Sequence, residues 1–328
     1  MSQLSVLFIG GTGNISSACA ELAVASGVNL TVLNRGKNSL RELPEGTQTI
    51  TADIRDKEAV SSALRNREFD TVVNFIAYSP EHVNTDIELF SGHTGQYVFI
   101  SSASAYAKPV AQLPIRESTP LRNPFWAYSR DKIASEERLT AEYRDKGFPV
   151  TIVRPSHTYD RTTIPLLGGW TAIDRMRRGE PVVVHGDGTS LWVLTHHADF
   201  ARAFVPLLGR PQAIGEAFHI TSDEAQPWDQ IYRTLGRAAG TEPELVHVSS
   251  DQVGRTVPDW GPGLLGDAAH SVTFDNTKVR QLAPGWAATI SWAEGAREII
   301  EWFDADPDRR VVRPAAEANI KSLIALAR

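Results

Sequence analysis

Residues 8–23 read FIGGTGNISSACAELA, and this stretch decides the fold class. It follows the apolar run LSVLFI (4–9) and leads into a helix-like segment near 14–26. A glycine-rich turn between a strand and a helix exposes backbone N–H groups and a helix N-terminus, which together bind a pyrophosphate. Gly10 and Gly13 fit the first two glycines of this motif, and a serine stands at the third. The stretch therefore predicts a nucleotide-binding turn, with a purely structural turn as the alternative.

Further apolar runs follow, separated by helical patterns. The next five such runs lie at 29–34, 48–53, 71–77, 96–102 and 148–155. Near-continuous Val, Ile and Phe residues are typical of strands that are buried on both faces of a parallel sheet. Successive strand–helix–strand units predict an α/β protein with a Rossmann-type, doubly wound parallel sheet.

The composition of the chain changes near residue 155, where Gly, Pro and Trp become frequent. We assign 1–155 to a dinucleotide-binding domain and 156–328 to a smaller C-terminal α/β substrate lobe with the terminal helices. Apolar runs within 191–221 predict that this segment partly returns to the first domain. Apolar residues at helical spacing predict helices over 291–303 and 313–328, whose apolar faces we interpret as core.

Composition narrows the classes of function. The 328 residues are 42% hydrophobic and 22% charged, with a net charge of −6 and no long basic run, so we expect no nucleic-acid partner. A single cysteine, Cys19, excludes an internal disulfide and fits a reducing compartment. We expect no signal peptide, no membrane partner and a cytoplasmic location. Adjacent His196 and His197 would face opposite sides of a strand, so no metal site is predicted.

Coenzyme preference depends on the ends of the second and third strands. In LNRGK, Asn34 stands where an acid would accept hydrogen bonds from the adenosine ribose, and Arg35 and Lys37 follow. Two cations can pair with a 2′-phosphate, which favours NADP slightly over NAD; the alternative is that Arg35 and Lys37 are solvated loop residues. Asp53 is placed either to accept from the adenine amino group or to cap the next helix.

Tyr128 and Lys132 lie four residues apart in PFWAYSRDKIASEE (124–137). On a helix this spacing places both side chains on one face. An ammonium beside a phenol favours the phenolate and lowers the phenol pKa from about 10 toward neutrality. Such a phenol transfers protons to and from a substrate oxygen. The alternative is a partly buried tyrosine and a solvated lysine.

Seven ordered motifs resemble one family, the extended short-chain dehydrogenase/reductases, which include NAD(P)-dependent sugar epimerases and dehydratases. The motifs are GGTGNIS, ADIRD, VVNFIA, YVFISSASAY, YSRDK, VRPSHTY and GDGTSLWVLTHHADFARAF. The resemblance covers most of the chain and is clearest in the nucleotide-binding half. It favours the catalytic interpretation of Tyr128 and Lys132.

The resemblance implies a role for each matching position. Ser102, or Ser101 if the register differs by one residue, would bond the reacting oxygen beside Tyr128, the acid/base. Lys132 would lower the phenol pKa and hold the nicotinamide ribose. Asn74, Tyr78 and Ser156 would lie near the cofactor. The predicted cofactor-binding residues are Gly10, Gly13, Asn14, Ile15, Asn34, Arg35, Asp53, Ile54, Ala77, Tyr128, Lys132 and Pro155. The predicted substrate contacts are Ser102, Ser104, His157, Tyr159 and Trp192, with core packing as the alternative for His157 and Tyr159.

Three departures from the family pattern limit what the resemblance implies. Dehydratases carry an Asp-Glu pair before the tyrosine that matches Tyr106, but Ala103, Ser104 and Ala105 stand here, so dehydration is not expected. Trp192 replaces the arginine that binds the diphosphate of nucleotide sugars, which argues against such a substrate unless Arg161, Arg175 or Arg178 takes that role. The segment between the fourth and fifth strands, which helps to form dimers in the family, is short here, and a homodimer remains an expectation.

These motifs are consistent with two functions. The first is an NAD(P)-dependent oxidoreductase or epimerase that exchanges hydride with a secondary alcohol or ketone of a sugar-like small molecule. The second is a non-catalytic relative of the same fold that senses a dinucleotide and binds RNA or a protein. The complete set of Ser102, Tyr128 and Lys132 favours the enzyme, because a binding module needs no tuned phenol.

Overall fold

The computed structural model describes residues 3–37, 40–65 and 67–327. Within these ranges the strands are β1 (Ser5–Ile9), β2 (Asn29–Asn34), β3 (Gln48–Thr51), β4 (Phe69–Asn74), β5 (Thr94–Ile100), β6 (Val150–Pro155), β7 (His157–Tyr159), β8 (Val182–His185), β9 (Leu191–His196), β10 (Ala217–Ile220), β11 (Ala225–Pro227) and β12 (Leu245–Val248).

Helices separate most of these strands. They are α1 (Asn14–Ala25), α2 (Lys57–Leu64), α3 (Pro80–Phe90), α4 (Ala127–Lys146), α5 (Trp170–Arg177), α6 (His197–Phe204), α7 (Trp228–Ala238), α8 (Ser250–Thr256), the single turn α9 (Gly261–Gly263), α10 (Thr277–Leu282), α11 (Trp292–Asp304) and α12 (Pro314–Ala327). Shorter 3₁₀ turns lie at Ala103–Ala105, Val205–Leu207, Pro211–Ala213 and Pro307–Arg309, and a π-helical turn lies at Leu264–Ala268.

Seven strands form one sheet in the order β10-β6-β5-β4-β1-β2-β3, with every neighbouring pair parallel. In β1, Val6 to Ile9 are fully buried, as expected for a strand with helices on both faces. The prediction of a doubly wound parallel sheet is confirmed. The fourth strand ends at Asn74, earlier than expected, so residues 75–77 leave the sheet at its carboxyl edge.

Two hydrophobic layers cover this sheet. One layer joins α1 and α6 to the sheet and includes Cys19, which is fully buried among apolar side chains. The other layer joins α3 and α4 and includes Leu139 and Phe90. The buried cysteine is therefore a core residue.

The second lobe is built on two small sheets, β11-β9-β7 and β12-β8. Its core contains Trp170, Trp192, Trp228 and Trp292. The 191–221 segment is divided between the lobes, because β9 pairs with β7 whereas β10 pairs with β6 at the edge of the main sheet. The predicted C-terminal helices correspond to α11 and α12.

The capping pattern of α11 follows from its sequence. The Ser291 hydroxyl accepts from the Glu294 backbone, and the Glu294 carboxylate accepts from the Ser291 backbone, which satisfies two N–H groups at the helix start. Across the described ranges, the helices are too short or too polar to cross a membrane. In the same ranges, His, Cys, Asp and Glu side chains do not gather in threes as a metal ion would require.

Candidate active site

A cleft of ≈ 1340 Å³ opens at the carboxyl edge of the main sheet. It lies where the strand order reverses between β1 and β4, the position at which open α/β sheets bind ligands. Small-molecule pockets are typically about 300–1,000 Å³, so this cleft has room for an extended ligand. The predicted residues that line it are Gly10, Gly13, Asn14, Ile15, Asn34, Arg35, Asp53, Ile54, Ser102, Tyr128, Lys132 and Pro155.

The glycine turn packs closely against neighbouring side chains just before the start of α1. Gly10 has φ +81°, and a Cβ there would lie 2.9 Å from the Ile76 side chain. A Cβ on Gly11 would lie 2.7 Å from Val32. The serine at the third motif position, Ser16, accepts a hydrogen bond from the Gly13 backbone at 2.9 Å. This backbone, with the start of a twelve-residue helix, fits the pyrophosphate of a dinucleotide.

At the ribose end of the cleft, Arg35 is 63% exposed and lies 3.8 Å from the 44% exposed Asp53. The Asn34 side chain accepts a hydrogen bond from the Gly36 backbone at 2.8 Å, which stabilises the turn at the end of β2. Asp53 is not a helix cap, because Asp56 caps α2 by accepting from the Ala59 backbone. The capping alternative for Asp53 is thereby excluded, and its carboxylate faces the cleft.

At the opposite end, α4 presents Tyr128 in its first turn and Lys132 one turn later. Ser102, which follows β5, lies close enough to the Tyr128 hydroxyl to lower the phenol pKa, and both side chains line the cleft. The Lys132 nitrogen donates to the carbonyl oxygens of Ala77 at 2.6 Å and Ile100 at 2.7 Å. The structure thus brings together the three residues that the resemblance assigned to catalysis. Ala77 contributes its carbonyl while its side chain is buried.

Burial controls the protonation of the Tyr128 and Lys132 side chains. It raises the pKa of Tyr128 to about 12; the bond to Ser102 lowers that pKa in part, and the nearby Tyr78 and Asp267 raise it. Burial also lowers the pKa of Lys132 to about 7, against the opposing effect of Glu136. The expected lowering of the phenol pKa by Lys132 is therefore not found in the cofactor-free chain, because the amine is itself desolvated and bonded to backbone carbonyls.

The two candidate serines face different partners. Ser101 donates to Glu136, which forms a buried ion pair with Arg154 at 2.5 Å. Ser102 lies 2.9 Å from the hydroxyl of Ser104, which in turn accepts from Ser129 at 2.7 Å. Ser102 therefore belongs to the reaction end of the cleft and Ser101 to a buried ion pair behind it.

The remaining predicted substrate contacts lie apart from this cleft. Tyr159 is 1% exposed and packs against Trp292, with ring centres 5.2 Å apart. Trp192 is 4% exposed, stacks on Trp228 and donates to His157 at 3.2 Å. Burial lowers the pKa of His157 to about 4. Packing accounts for these three side chains, and Ser104 is likewise buried but stays bonded to Ser102.

Several cleft residues were missed by the sequence analysis. Arg41, Arg55 and His82 all line the cleft, and Asp267 influences Tyr128 from the π-helical turn. Arg41 lies in the polar connection between β2 and β3, where no periodicity shows which side chains point inward. Its partner Asp160 is 119 residues away along the chain, so no local pattern indicates the contact.

Comparison with known proteins gives one family and several distant relatives. A model of the NAD dependent epimerase/dehydratase family matches residues 6–94 and 87–221. The chloroplast stem-loop binding protein of 41 kDa b of Arabidopsis thaliana is 25% identical over 336 residues, covering 98% of this chain and 84% of that protein. The 2'-dehydrokanamycin reductase of Streptomyces kanamyceticus is 26% identical over 289 residues, covering 86% of this chain and 80% of that protein.

Solved structures show the same fold. An epimerase from Methanothermobacter thermautotrophicus superposes with a TM-score of 0.77 at 18% identity, and the match covers 94% of each chain. At this identity the likeness concerns the fold alone. The fold of this chain is thus one that other solved proteins share.

Proposed function

This chain belongs to the NAD-dependent epimerase/dehydratase family, and from that premise we propose that it reduces a ketone of a sugar-like small molecule with NAD(P)H. Tyr128 donates its phenol proton to the carbonyl oxygen while the carbonyl carbon accepts hydride, which gives a secondary alcohol. The bound nicotinamide supplies that hydride. In the reverse direction Tyr128 takes the hydroxyl proton as the carbon gives hydride back.

One observation carries the proposal: Tyr128 and Ser102 lie together at one end of a cleft whose other wall is the glycine turn. A phenol and a hydroxyl side by side bind one carbonyl oxygen through two hydrogen bonds. Both donors sit on rigid elements, the first turn of α4 and the end of β5, which favours a fixed substrate geometry.

The protonation state supports reduction as the direction. With a pKa of about 12, Tyr128 carries its proton at neutral pH and is ready to act as an acid. Oxidation needs the phenolate, which Lys132 does little to stabilise, because its amine is buried and donates to the carbonyl oxygens of Ala77 and Ile100. A bound oxidised nicotinamide would bring a positive charge that would lower the pKa of Tyr128, whereas beside a neutral reduced ring Tyr128 would keep its proton.

The substrate lobe supports a ketone that is not attached to a nucleotide. Trp192, which stands where nucleotide-sugar enzymes carry an arginine, is stacked in the core and provides no cation for a diphosphate. Elimination of water is disfavoured because Ala103, Ser104 and Ala105 form a buried turn without a carboxylate. The name of the relative 2'-dehydrokanamycin reductase describes a reduction of this type.

We assign NADPH as the preferred coenzyme within the proposal. The end of β2 offers Asn34 in place of an acid, and the exposed Arg35 and Lys37 line the ribose end of the cleft. The carboxylate of Asp53 at 3.8 Å partly offsets Arg35, which keeps the expected preference over NADH small.

The test is a panel of keto-sugars and amino-keto-sugars, each mixed with NADPH or NADH and followed by nicotinamide absorbance. Stoichiometric loss of reduced coenzyme that disappears in Tyr128→Phe supports the proposal. Interconversion of epimers without net coenzyme loss would assign an epimerase instead. Turnover that survives in Tyr128→Phe would exclude Tyr128 as the acid.

A second candidate function, RNA binding, is favoured by one observation, the relationship to the chloroplast stem-loop binding protein over nearly the whole chain. The net charge of −6 opposes it. Binding of a stem-loop RNA at two salt concentrations decides between the two, because phosphate contacts weaken steeply with salt. Tight, salt-sensitive binding without keto-sugar reduction would favour this second function.

A further inference from the structure

Arg41 forms a bridge between the two lobes at the cleft. Its Nε donates to Asp160 at 2.7 Å, and its Nη2 donates to the Thr162 hydroxyl at 2.6 Å. The Arg41 side chain is 15% exposed and the Asp160 side chain 3% exposed, so solvent screens this ion pair little. A fork-shaped guanidinium with two partners in one loop is held in a defined orientation.

Hydrogen bonds from its own loop position the Asp160 carboxylate to accept from the Arg41 guanidinium. One carboxylate oxygen accepts from the Thr162 backbone at 3.0 Å, the Thr162 hydroxyl at 2.8 Å and the Thr163 hydroxyl at 3.0 Å. The other oxygen accepts from Arg41. Because the loop fixes the carboxylate from one side, Asp160 stays in place whether or not Arg41 is bound.

Both ends of the bridge are fastened to the glycine turn. On the Asp160 side, Asn14 donates to the Thr158 carbonyl oxygen at 2.7 Å. On the Arg41 side, the Leu43 side chain lies 3.3 Å from the point where a Cβ on Gly11 would stand. Arg41, Asn14 and Thr158 all line the cleft. The bridge therefore crosses the cleft at the glycine turn, the part that fits a pyrophosphate.

The other cations that line the cleft in the described ranges have different positions. Arg35 and Lys37 follow β2 at the ribose end, Lys132 lies at the reaction end, and Arg55 donates to the Ile76 carbonyl oxygen at 2.5 Å. Arg41 differs from these cations in being held by a carboxylate and a hydroxyl of the 160–162 loop. A pyrophosphate there would gain a charge-assisted donor in addition to the backbone N–H groups.

We propose that the Arg41–Asp160 pair is a clasp that retains the dinucleotide by closing over its pyrophosphate. Resting on the proposed function, it adds a binding residue that also controls coenzyme release. Arg41 contacts the pyrophosphate, and Asp160 is a positioning residue that acts through Arg41. Release requires the clasp to open, so the pair sets the dissociation rate more than the association rate.

The test uses the full-length protein loaded with NADPH or NADH, which is then displaced by excess oxidised coenzyme while nicotinamide fluorescence is followed by stopped flow. Arg41→Ala and Asp160→Asn should each raise the dissociation rate at least about tenfold, the effect of losing one charge-assisted contact. The double variant should release no faster than Arg41→Ala alone, because the two residues act as a unit. Arg41→Lys, which keeps the charge but loses the fork, should fall between wild type and Arg41→Ala.

The matched control is Arg233→Ala, which removes an arginine paired with Glu242 at 2.6 Å outside the cleft and should leave release unchanged. Thermal unfolding of each variant identifies any loss of fold, and if Arg41→Ala fails to fold, Arg41→Lys and Asp160→Asn decide. Release at the wild-type rate in folded Arg41 and Asp160 variants would overturn the clasp and leave the proposed function standing. Fast release in Arg41→Ala with wild-type release in Asp160→Asn would also overturn it. Failure of the wild type to bind either reduced coenzyme would overturn both proposals.

Discussion

The Lys132 side-chain nitrogen lies 5.7 Å from the centre of the Tyr128 ring, and its hydrogen bonds are directed at the carbonyl oxygens of Ala77 and Ile100. The amine therefore joins the loop after β4 to the end of β5 and leaves the phenol to Ser102. In this arrangement burial, and not the amine, determines the pKa of Tyr128 in the cofactor-free chain. The charge of the bound coenzyme then becomes the main influence that can change it.

Tyr128→Phe should reduce turnover about 10²–10⁴-fold, the usual effect of removing a general acid. The affinity for reduced coenzyme should stay within about threefold of wild type, because the ring and its packing against Trp126 at 4.8 Å remain. Turnover on the best ketone of the panel and coenzyme fluorescence titration measure the two quantities. A parallel loss of both would indicate a structural role.

Ser102 and Ser101 form a natural pair of test and control. Ser102→Ala should lower kcat about tenfold or more, with little change in stability, because it removes a donor to the reacting oxygen. Ser101→Ala should instead lower the free energy of unfolding, since Glu136 loses a buried donor. Steady-state kinetics and urea unfolding of both variants check this. The reverse pattern would place the reacting oxygen at Ser101.

Lys132→Met should weaken both turnover and coenzyme binding. The proposal places the amine at the nicotinamide ribose, and its removal also leaves two backbone carbonyls without a donor. Coenzyme affinity and turnover are measured as for Tyr128→Phe. If turnover falls while coenzyme affinity is unchanged, the ribose contact does not exist.

Arg35→Ala should weaken NADPH binding and spare NADH. The side chain is 63% exposed, so the expected loss for NADPH is only about three- to tenfold. Fluorescence titration with both coenzymes, at low and high salt, gives the measurement, and the effect should shrink with salt. Equal losses for the two coenzymes would remove the argument for NADPH.

Asp86, on α3, gives a prediction on stability. Burial raises its pKa to about 7, although hydrogen bonds from Tyr97 and Asn74 oppose this effect. Its pKa in the unfolded chain is about 4. Because the folded value is the higher one, its stabilising contribution is present below about pH 4 and is lost as the pH rises through about 7.

Asp86→Asn should therefore flatten the decline in the free energy of unfolding across this pH window, by up to about 1.4 kcal/mol per pH unit. Urea unfolding at a series of pH values gives the slope. The control is Glu88→Gln on the same helix, whose carboxylate is 58% exposed and should leave the slope unchanged. Identical slopes in wild type and Asp86→Asn would contradict the assigned burial effect.

The sequence predicted the fold well where the pattern is local. The apolar runs that form β1, β2 and β4 are continuous in the sequence. The glycine turn lies between a strand and a helix that pack directly against each other. Ser102, Tyr128 and Lys132 came from a resemblance, since no spacing relates residue 102 to residue 128. The structure shows that all three side chains lie at one end of the cleft.

The parts that were not predictable depend on long-range packing. Nothing local distinguishes Trp192 of β9 as a core residue, because its stacking partner, Trp228, lies at the start of helix α7. The protonation of Tyr128 depends on how much water the fold removes around it, which no i, i+4 spacing contains. The Arg41–Asp160 contact joins distant segments and was invisible for the same reason.

The most direct test of the account is the pKa of Tyr128 with and without coenzyme, obtained from ultraviolet phenolate absorbance as the difference between wild type and Tyr128→Phe. We expect a protonated phenol throughout the pH range in which the cofactor-free protein stays folded, consistent with a pKa of about 12. Oxidised coenzyme should lower that pKa clearly, and reduced coenzyme should not. Two results would contradict the placement of Tyr128 against the nicotinamide. One is a phenolate at neutral pH in the free protein, and the other is a Tyr128 pKa that does not change when oxidised coenzyme binds.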